Sequence, residues 1–161
     1  MRFTIALVAS LTLPAQAFAL SCAQPLVENS YAFAAKSEST YLIGKGTLVF
    51  DPALVPRSTV GVERPPQMTA VPAKIKGQAF DGAGFNSEFE AEIQMVVRCL
   101  QSWCPVIETG KEQLVFLRQA ETAYELAMDP CGGAAFTEPT PEMLDQVLTC
   151  FKEGTCTSDP S

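Results

Sequence analysis

Residues 88–99, Glu88-Phe89-Glu90-Ala91-Glu92-Ile93-Gln94-Met95-Val96-Val97-Arg98-Cys99, alternate between polar and apolar side chains. Phe89, Ala91, Ile93, Met95, Val97 and Cys99 fall on one face. Glu88, Glu90, Glu92, Gln94 and Arg98 fall on the other, with Val96 the single exception. Successive side chains of a strand point to opposite faces, so a period of two predicts an antiparallel strand with one buried and one wet face. The carboxylates of Glu88, Glu90 and Glu92 invite an acid/base reading. Their spacing is instead that of a solvated strand face, which discourages unwanted sheet association.

Further strands flank this one. Thr40–Phe50 is β-rich, with Gly44 and Gly46 where a strand bends or bulges, and Asp51-Pro52 ends it. Pro52, Pro56, Pro65, Pro66 and Pro72 then punctuate residues 51–73. Such a stretch cannot form a regular helix. It reads as a proline-rich surface loop with a short edge strand near Thr59–Val62. Lys74–Phe80 is the second strand, followed by the turn residues Asp81-Gly82-Ala83-Gly84. No phosphate-loop pattern surrounds these glycines. Leu114–Arg118, after the turn at Gly110-Lys111, is the fourth strand, and Ala123–Met128 the fifth. Thr140-Pro141-Glu142 then starts a helix, with an N-cap threonine and proline at the first helical position. Met143, Leu144, Val147, Leu148 and Phe151 form its apolar stripe, and Gly154 stops it. The expected fold is mostly β with a C-terminal helix: a small antiparallel barrel of OB type, stapled by disulfides.

The amino terminus sets the compartment. Met1-Arg2, an apolar run from Phe3 to Leu13, and small residues from Ala15 to Ser21 form an export signal. It is assigned to residues 1–19, with cleavage after 17, 19 or 21. Residues 20–161 then form one domain, roughly 140 residues long by the usual size prior. The run is too short to span a bilayer, and no second apolar run is long enough, so the mature chain is expected to carry no transmembrane helix. A secreted or periplasmic location follows. All six cysteines, Cys22, Cys99, Cys104, Cys131, Cys150 and Cys156, lie after the signal, where disulfides persist.

Composition narrows the function classes. The chain has no histidine, which removes His-based triads and His metal sites. No C-x-x-C spacing is present, so zinc and dithiol redox centres are not expected, and Cys104 in Trp103-Cys104-Pro105 reads as structural. The net charge of −7, with no Lys/Arg cluster, disfavours nucleic acid. No catalytic residue, intrinsic metal site or cofactor is expected. The chain reads as a binding protein with a protein partner rather than an enzyme. One alternative is an exported structural or adaptor protein of the periplasm that binds other envelope components, its contact being the exposed apolar residues of the proline-rich loop, Leu54, Val55, Val60, Val62 and Met68.

The order of these features resembles the netrin-like module of tissue inhibitors of metalloproteinases, an OB-type barrel. A cysteine near the mature start is followed by a glycine-containing first strand and a strand ending at Val97-Arg98-Cys99. Then come a Gly-Lys turn into an apolar strand, another strand, and a cysteine before a C-terminal helix. The resemblance implies a protein partner, an extracytoplasmic metalloprotease, bound through an amino-terminal cysteine whose free amine and carbonyl chelate the protease zinc. Cys22 is the matching position, with Ala23 beside it. Only cleavage after Ser21 leaves that amine free. The chain reads Cys22-Ala23-Gln24-Pro25, without the second cysteine two residues on that the animal inhibitors carry. A lipid-anchored Cys22, or a purely structural one, are the other readings of this residue. Six cysteines allow fifteen connectivities. The family pattern implies Cys22–Cys99, and Cys104–Cys131 and Cys150–Cys156 complete that set. The competing set joins Cys99 to Cys104 and Cys22 to Cys131.

Overall fold

The computed structural model describes residues 22–60, 64–154 and 156. The export signal and Val62 lie outside them. In chain order the elements are α1 (Val27–Lys36), β1 (Tyr41–Phe50), β2 (Met68–Phe80), β3 (Phe85–Arg98), β4 (Lys111–Gln119), β5 (Tyr124–Met128), β6 (Ala135–Thr137) and α2 (Pro141–Glu153). The alternation that predicted β3 is realised. Ile93, Met95 and Val97 are buried, while Glu88, Glu90 and Glu92 are exposed. Glu90 and Glu92 face Lys76 and Lys74 across the β2–β3 ladder and pair with them at 2.8 and 3.0 Å. The glutamates form the solvated face that the sequence implied, and the structure adds the pairing with Lys74 and Lys76.

Five strands close into a ring of order β1-β2-β3-β5-β4, with β4 returning to β1. The expected all-antiparallel pairing needs correction, because β3 and β5 run parallel. The reason is topological. Strand directions can alternate all the way round only if the number of strands is even, so a ring of five must contain a parallel pair. The residues between β3 and β5, which include β4, provide the long crossover that parallel neighbours require.

The ring has two cores. Leu48, Phe50, Val71, Ile75, Met95, Val115, Leu117 and Leu126 fill its interior. Val27, Leu114, Phe116, Phe136 and Val147 form a second core between the outer face of β4 and the two helices. β4 is therefore covered on both faces, and Gln113–Leu117 are all buried. An unbroken apolar run is the sequence form of such a strand. The buried Gln113 side chain accepts a hydrogen bond from Thr137 at 3.1 Å.

α2 has the predicted limits. The Thr140 hydroxyl accepts from the Met143 N–H at 3.4 Å, and Gly154 ends the helix with φ 67°. A left-handed residue at this position is the usual reason for glycine. Phe151 departs from the predicted buried stripe: it is half exposed and meets Phe80 edge-on at 5.3 Å.

Other boundaries move. The loop expected over 51–73 ends earlier, because β2 begins at Met68 and includes Pro72. Pairing of β1 with β2 reaches only Phe50↔Ala73, so Pro72 has β3 as its one neighbour strand. Proline is tolerated in a strand where one side needs no N–H donor. The short edge strand expected near Thr59–Val62 is not formed at Thr59 or Val60, and residues 61–63 are not described. α1 and β6 are elements that the strand-by-strand reading missed.

The disulfides are Cys22–Cys131, Cys99–Cys104 and Cys150–Cys156. The first two correct the favoured pairing of Cys22 with Cys99 and Cys104 with Cys131. Beyond β3 the chain reverses tightly, with Leu100 and Trp103 exchanging backbone hydrogen bonds of 2.7 and 3.0 Å. That reversal brings the Cα atoms of Cys99 and Cys104 to 4.2 Å, and local geometry overrides the family pattern. Cys22 instead meets Cys131, just past the end of β5.

Candidate functional site

Strand direction gathers the loops. β1, β3 and β5 end, and β2 and β4 begin, at one end of the ring. Residues 51–60, 64–67, 99–110 and 129–134 therefore emerge together as a rim, and two of the three disulfides sit there. The rim is tied internally. The Cys99 N–H donates to the Gln67 carbonyl at 3.0 Å, and the Thr59 N–H to Ser102 at 3.1 Å. The Cys104 N–H donates to the Ser58 hydroxyl at 2.9 Å. Thr109 bonds both backbone groups of Phe50, each at 3.0 Å. The proline-rich loop is thus pinned to the Cys99–Cys104 hairpin.

The rim is apolar to a degree that its surroundings are not. Ten large hydrophobic side chains are exposed among the described residues, and six belong here: Leu54, Val60, Met68, Leu100, Trp103 and Val106. Clustering of this kind marks interaction surfaces, whereas scattered single residues do not. Leu54 and Met68 stand as the sequence suggested. Val55 does not: it packs half-buried against the inner core, as does Ile107. Leu100, Trp103 and Val106 were missed. The signal available for Leu100 and Trp103 was their place between Cys99 and Cys104, where a short disulfide loop must leave large apolar side chains outside; Val106, past the loop, carried no such signal.

Cys22 and Ala23 lie at the same end but beside a different surface. Cys22 is half-buried, and Ala23, Gln24, Pro25 and Leu26 are exposed. This segment and α1 form one wall of a groove of about 620 Å³. The opposite wall and floor are the outer face of β3, β5 and β4: Val96 and Arg98, then Glu125, Ala127 and Asp129, then Phe116 and Arg118. Val96, the one break in the β3 alternation, is thereby explained. It stands on the outer face in register with Ala127, as part of an apolar floor. Arg118 pairs with Glu125, and Arg98 approaches Asp129 at 3.8 Å.

The groove owes its shape to two local features. β4 pairs with β5 only at Arg118↔Glu125 and Gln119↔Tyr124, then diverges to pair with β6. α1 is held over the gap by Ser30, whose hydroxyl bonds the Gly133 carbonyl and lies 3.2 Å from the Leu26 carbonyl.

Among the described residues, no three His, Cys, Asp or Glu side chains are placed to hold a metal. No described helix is long and apolar enough to cross a membrane. Comparison of the chain with protein-family models, with curated proteins and with solved structures finds no match.

Proposed function

We propose that this chain is an exported binding module, stapled by disulfides, that docks a protein partner through the rim and performs no catalysis. The observation that carries the reading is the gathering of Leu54, Val60, Met68, Leu100, Trp103 and Val106 at one end of the ring. Their loops are fixed before any partner arrives by the Cys99–Cys104 bridge and the hydrogen bonds to Ser58, Thr59 and Gln67. Preorganisation of this kind lowers the ordering cost of association. Tryptophan at such a position is the residue type most often found to dominate an interface. The ring order β1-β2-β3-β5-β4 supports reading the fold as an OB-type barrel.

The sharper reading, metalloprotease inhibition in the manner of netrin-like modules, draws on one observation. Cys22 spends its side chain on Cys131 while the residues after it, Ala23–Leu26, stay exposed. A backbone amine at a mature Cys22 would then remain available as a zinc ligand. The Cys22–Cys131 pairing departs from the family pattern and favours the general binding module. The alternative reading is a periplasmic structural or adaptor protein, or a lipid-anchored envelope protein, without inhibitory activity.

The test is capture of partners from the extracytoplasmic extract of the native host. Wild-type protein is compared with Leu100→Ser/Met68→Ser and with Lys74→Ser/Lys76→Ser, which alters only the exposed ladder. Loss of a captured protein in the rim variant alone supports the proposal. Equal capture by all three, or none by wild type, refutes it. Intact mass of the exported protein reads the amino terminus at the same time: a start at Phe18 or Leu20 ends the zinc-chelating reading.

A further inference from the structure

The groove under α1 is separate from the rim and carries its own inference. Its floor runs along β5 and just past its end: Glu125 and Ala127 lie on the strand, and Asp129, the first residue beyond it, also lines the groove. Glu125 and Ala127 are two strand positions apart, as are Val96 and Arg98 on β3, about 7 Å in each case, and Arg98 lies beside Asp129 at the far end. Each end therefore carries an ion pair, Arg118 with Glu125 and Arg98 with Asp129, and the middle is the Val96–Ala127 pair. The far wall carries two exposed apolar side chains, Phe33 at 68% and Leu26 at 42%, beside the polar Gln24 and Asn29. A charged post, a small apolar floor and a second charged post, spaced at two strand residues each, match the side-chain repeat of an extended chain.

We propose that this groove binds an extended peptide segment that places an apolar side chain on Val96 and Ala127 and, two residues away, a carboxylate on Arg98. The charge assignment follows from the two posts. Arg118 is closed on Glu125. Arg98 and Asp129 are 3.8 Å apart, with side chains 51% and 41% exposed, so the Arg98 guanidinium retains donors free to form a bidentate pair with a carboxylate. Small residues on the floor leave room for a large ligand side chain, and Phe33 supplies an aromatic wall for it. The protein as a whole is acidic, which opposes an acidic ligand at long range. Near physiological salt the Debye length is about 8 Å, so the local contact at Arg98 decides. This inference does not depend on the rim contact, and it assigns the groove a ligand whether or not the rim docks a partner.

The experiment uses isotope-labelled, disulfide-intact protein and backbone amide shifts. The probe is the acetylated and amidated pentapeptide Asp-Ser-Phe-Ser-Asp, which reads the same in either chain direction. Lys-Ser-Phe-Ser-Lys and Asp-Ser-Ser-Ser-Asp are the comparison probes. The expected result is saturable shifts at Val96, Arg98, Ala127, Gly132 and Phe33, with half-saturation on the order of 1 mM for so short a ligand. Arg98→Gln is expected to weaken binding about tenfold, the size of one lost charge-assisted pair. Val96→Ser, a change on the wet face that leaves both ion pairs in place, is expected to weaken it several-fold. The proposal is overturned if the first probe produces no localised shifts up to about 10 mM. A lysine probe that binds equally well overturns it too, as does an Arg98→Gln protein with a native amide spectrum and undiminished affinity.

Discussion

The pair Gly46 and Gly77 makes the most demanding prediction about the ring. The two glycines face each other across β1 and β2. A Cβ added to Gly46 would lie 2.5 Å from the Lys76 carbonyl oxygen and 2.7 Å from its carbon. Gly77 is tighter still, its added Cβ falling inside the van der Waals envelope of the Lys45 carbonyl oxygen and the Gly46 Cα. The obstructing atoms are backbone, so no rotamer change relieves the clash. Gly44, two residues earlier on β1, is the internal control: its added Cβ would meet the Leu42 side chain at 3.4 Å, an ordinary contact. Restoring 3.4 Å at position 46 means opening the β1–β2 spacing by the difference from 2.5 Å, about 0.9 Å. A ladder hydrogen bond of about 2.9 Å stretched by that amount is no longer one. Losing two such bonds costs about 2 kcal/mol, and strain in the surrounding core adds about 1–3 kcal/mol. The lower unfolded-state entropy of alanine returns about 0.4–1 kcal/mol. Gly46→Ala is therefore expected to cost about 3 kcal/mol, Gly77→Ala at least as much, and Gly44→Ala under about 1 kcal/mol. At this chain length 3 kcal/mol corresponds to a Tm lower by about 10 °C. Urea and thermal melts with disulfides intact, followed by circular dichroism, measure all three. The double variant Gly46→Ala/Gly77→Ala should cost less than the sum, because one opening of the strands serves both methyl groups. A Gly46→Ala protein that melts within about 2 °C of wild type, or a Gly44→Ala protein as unstable as Gly46→Ala, would refute the close-approach argument.

The remaining predictions concern the staples and pH. Peptide mapping of unreduced protein is expected to recover Cys22–Cys131, Cys99–Cys104 and Cys150–Cys156. On the chain-entropy model, removing Cys22–Cys131, which closes a separation of 109 residues, costs about 5 kcal/mol, against about 2 kcal/mol for Cys99–Cys104 with its separation of 5. Paired serine variants compared by urea melts check the ratio, and equal losses would contradict the pairing. Glu90 is held below the usual carboxylate range by its hydrogen bond from Lys76, and Asp81 by the Ala83 N–H. Groups lowered in the folded state stabilise it above the unfolded carboxylate range, and that stability is lost as pH falls through their native values. Lys76 and Lys74 are raised by hydrogen bonds to Glu90 and Glu92, so their contribution is present below the unfolded lysine value and disappears as pH rises through the raised one. Urea midpoints across acid pH for wild type and Glu90→Gln test this: the variant should show a shallower loss, and an unchanged slope would count against the ladder.

Much of the ring was legible along the chain. The alternation at Glu88–Cys99, the caps Thr140 and Gly154, and the unbroken apolar run of β4 are local patterns, and local backbone preference and burial acted in the same direction there. α1 was legible in principle, since Val27, Ser30, Tyr31 and Ala34 repeat at helical spacing. It was missed because its N-cap residue, Leu26, offers no side-chain cap, and because a serine sits on its buried face. β6 has three residues and exists only because β4 leaves β5 to pair with it. The groove depended on the same divergence, and its one sequence trace was Val96, an apolar residue on a wet face.

The sequence by itself determined the existence of the five ring strands, where the last helix starts and stops, which β3 face is wet, and that six cysteines stand ready to pair. These are consequences of side-chain order within a few residues. Tertiary structure decided what joins distant residues. It closed five strands into a ring, which forced β3 and β5 to run parallel. It brought Cys22 to Cys131 and left Cys99 to its near neighbour Cys104. It also set Leu54, Met68, Leu100 and Trp103 at one end while turning Val55 inward. Local periodicity tells a side chain which face of its own element it occupies, but the partner of that face is fixed only when the whole ring closes.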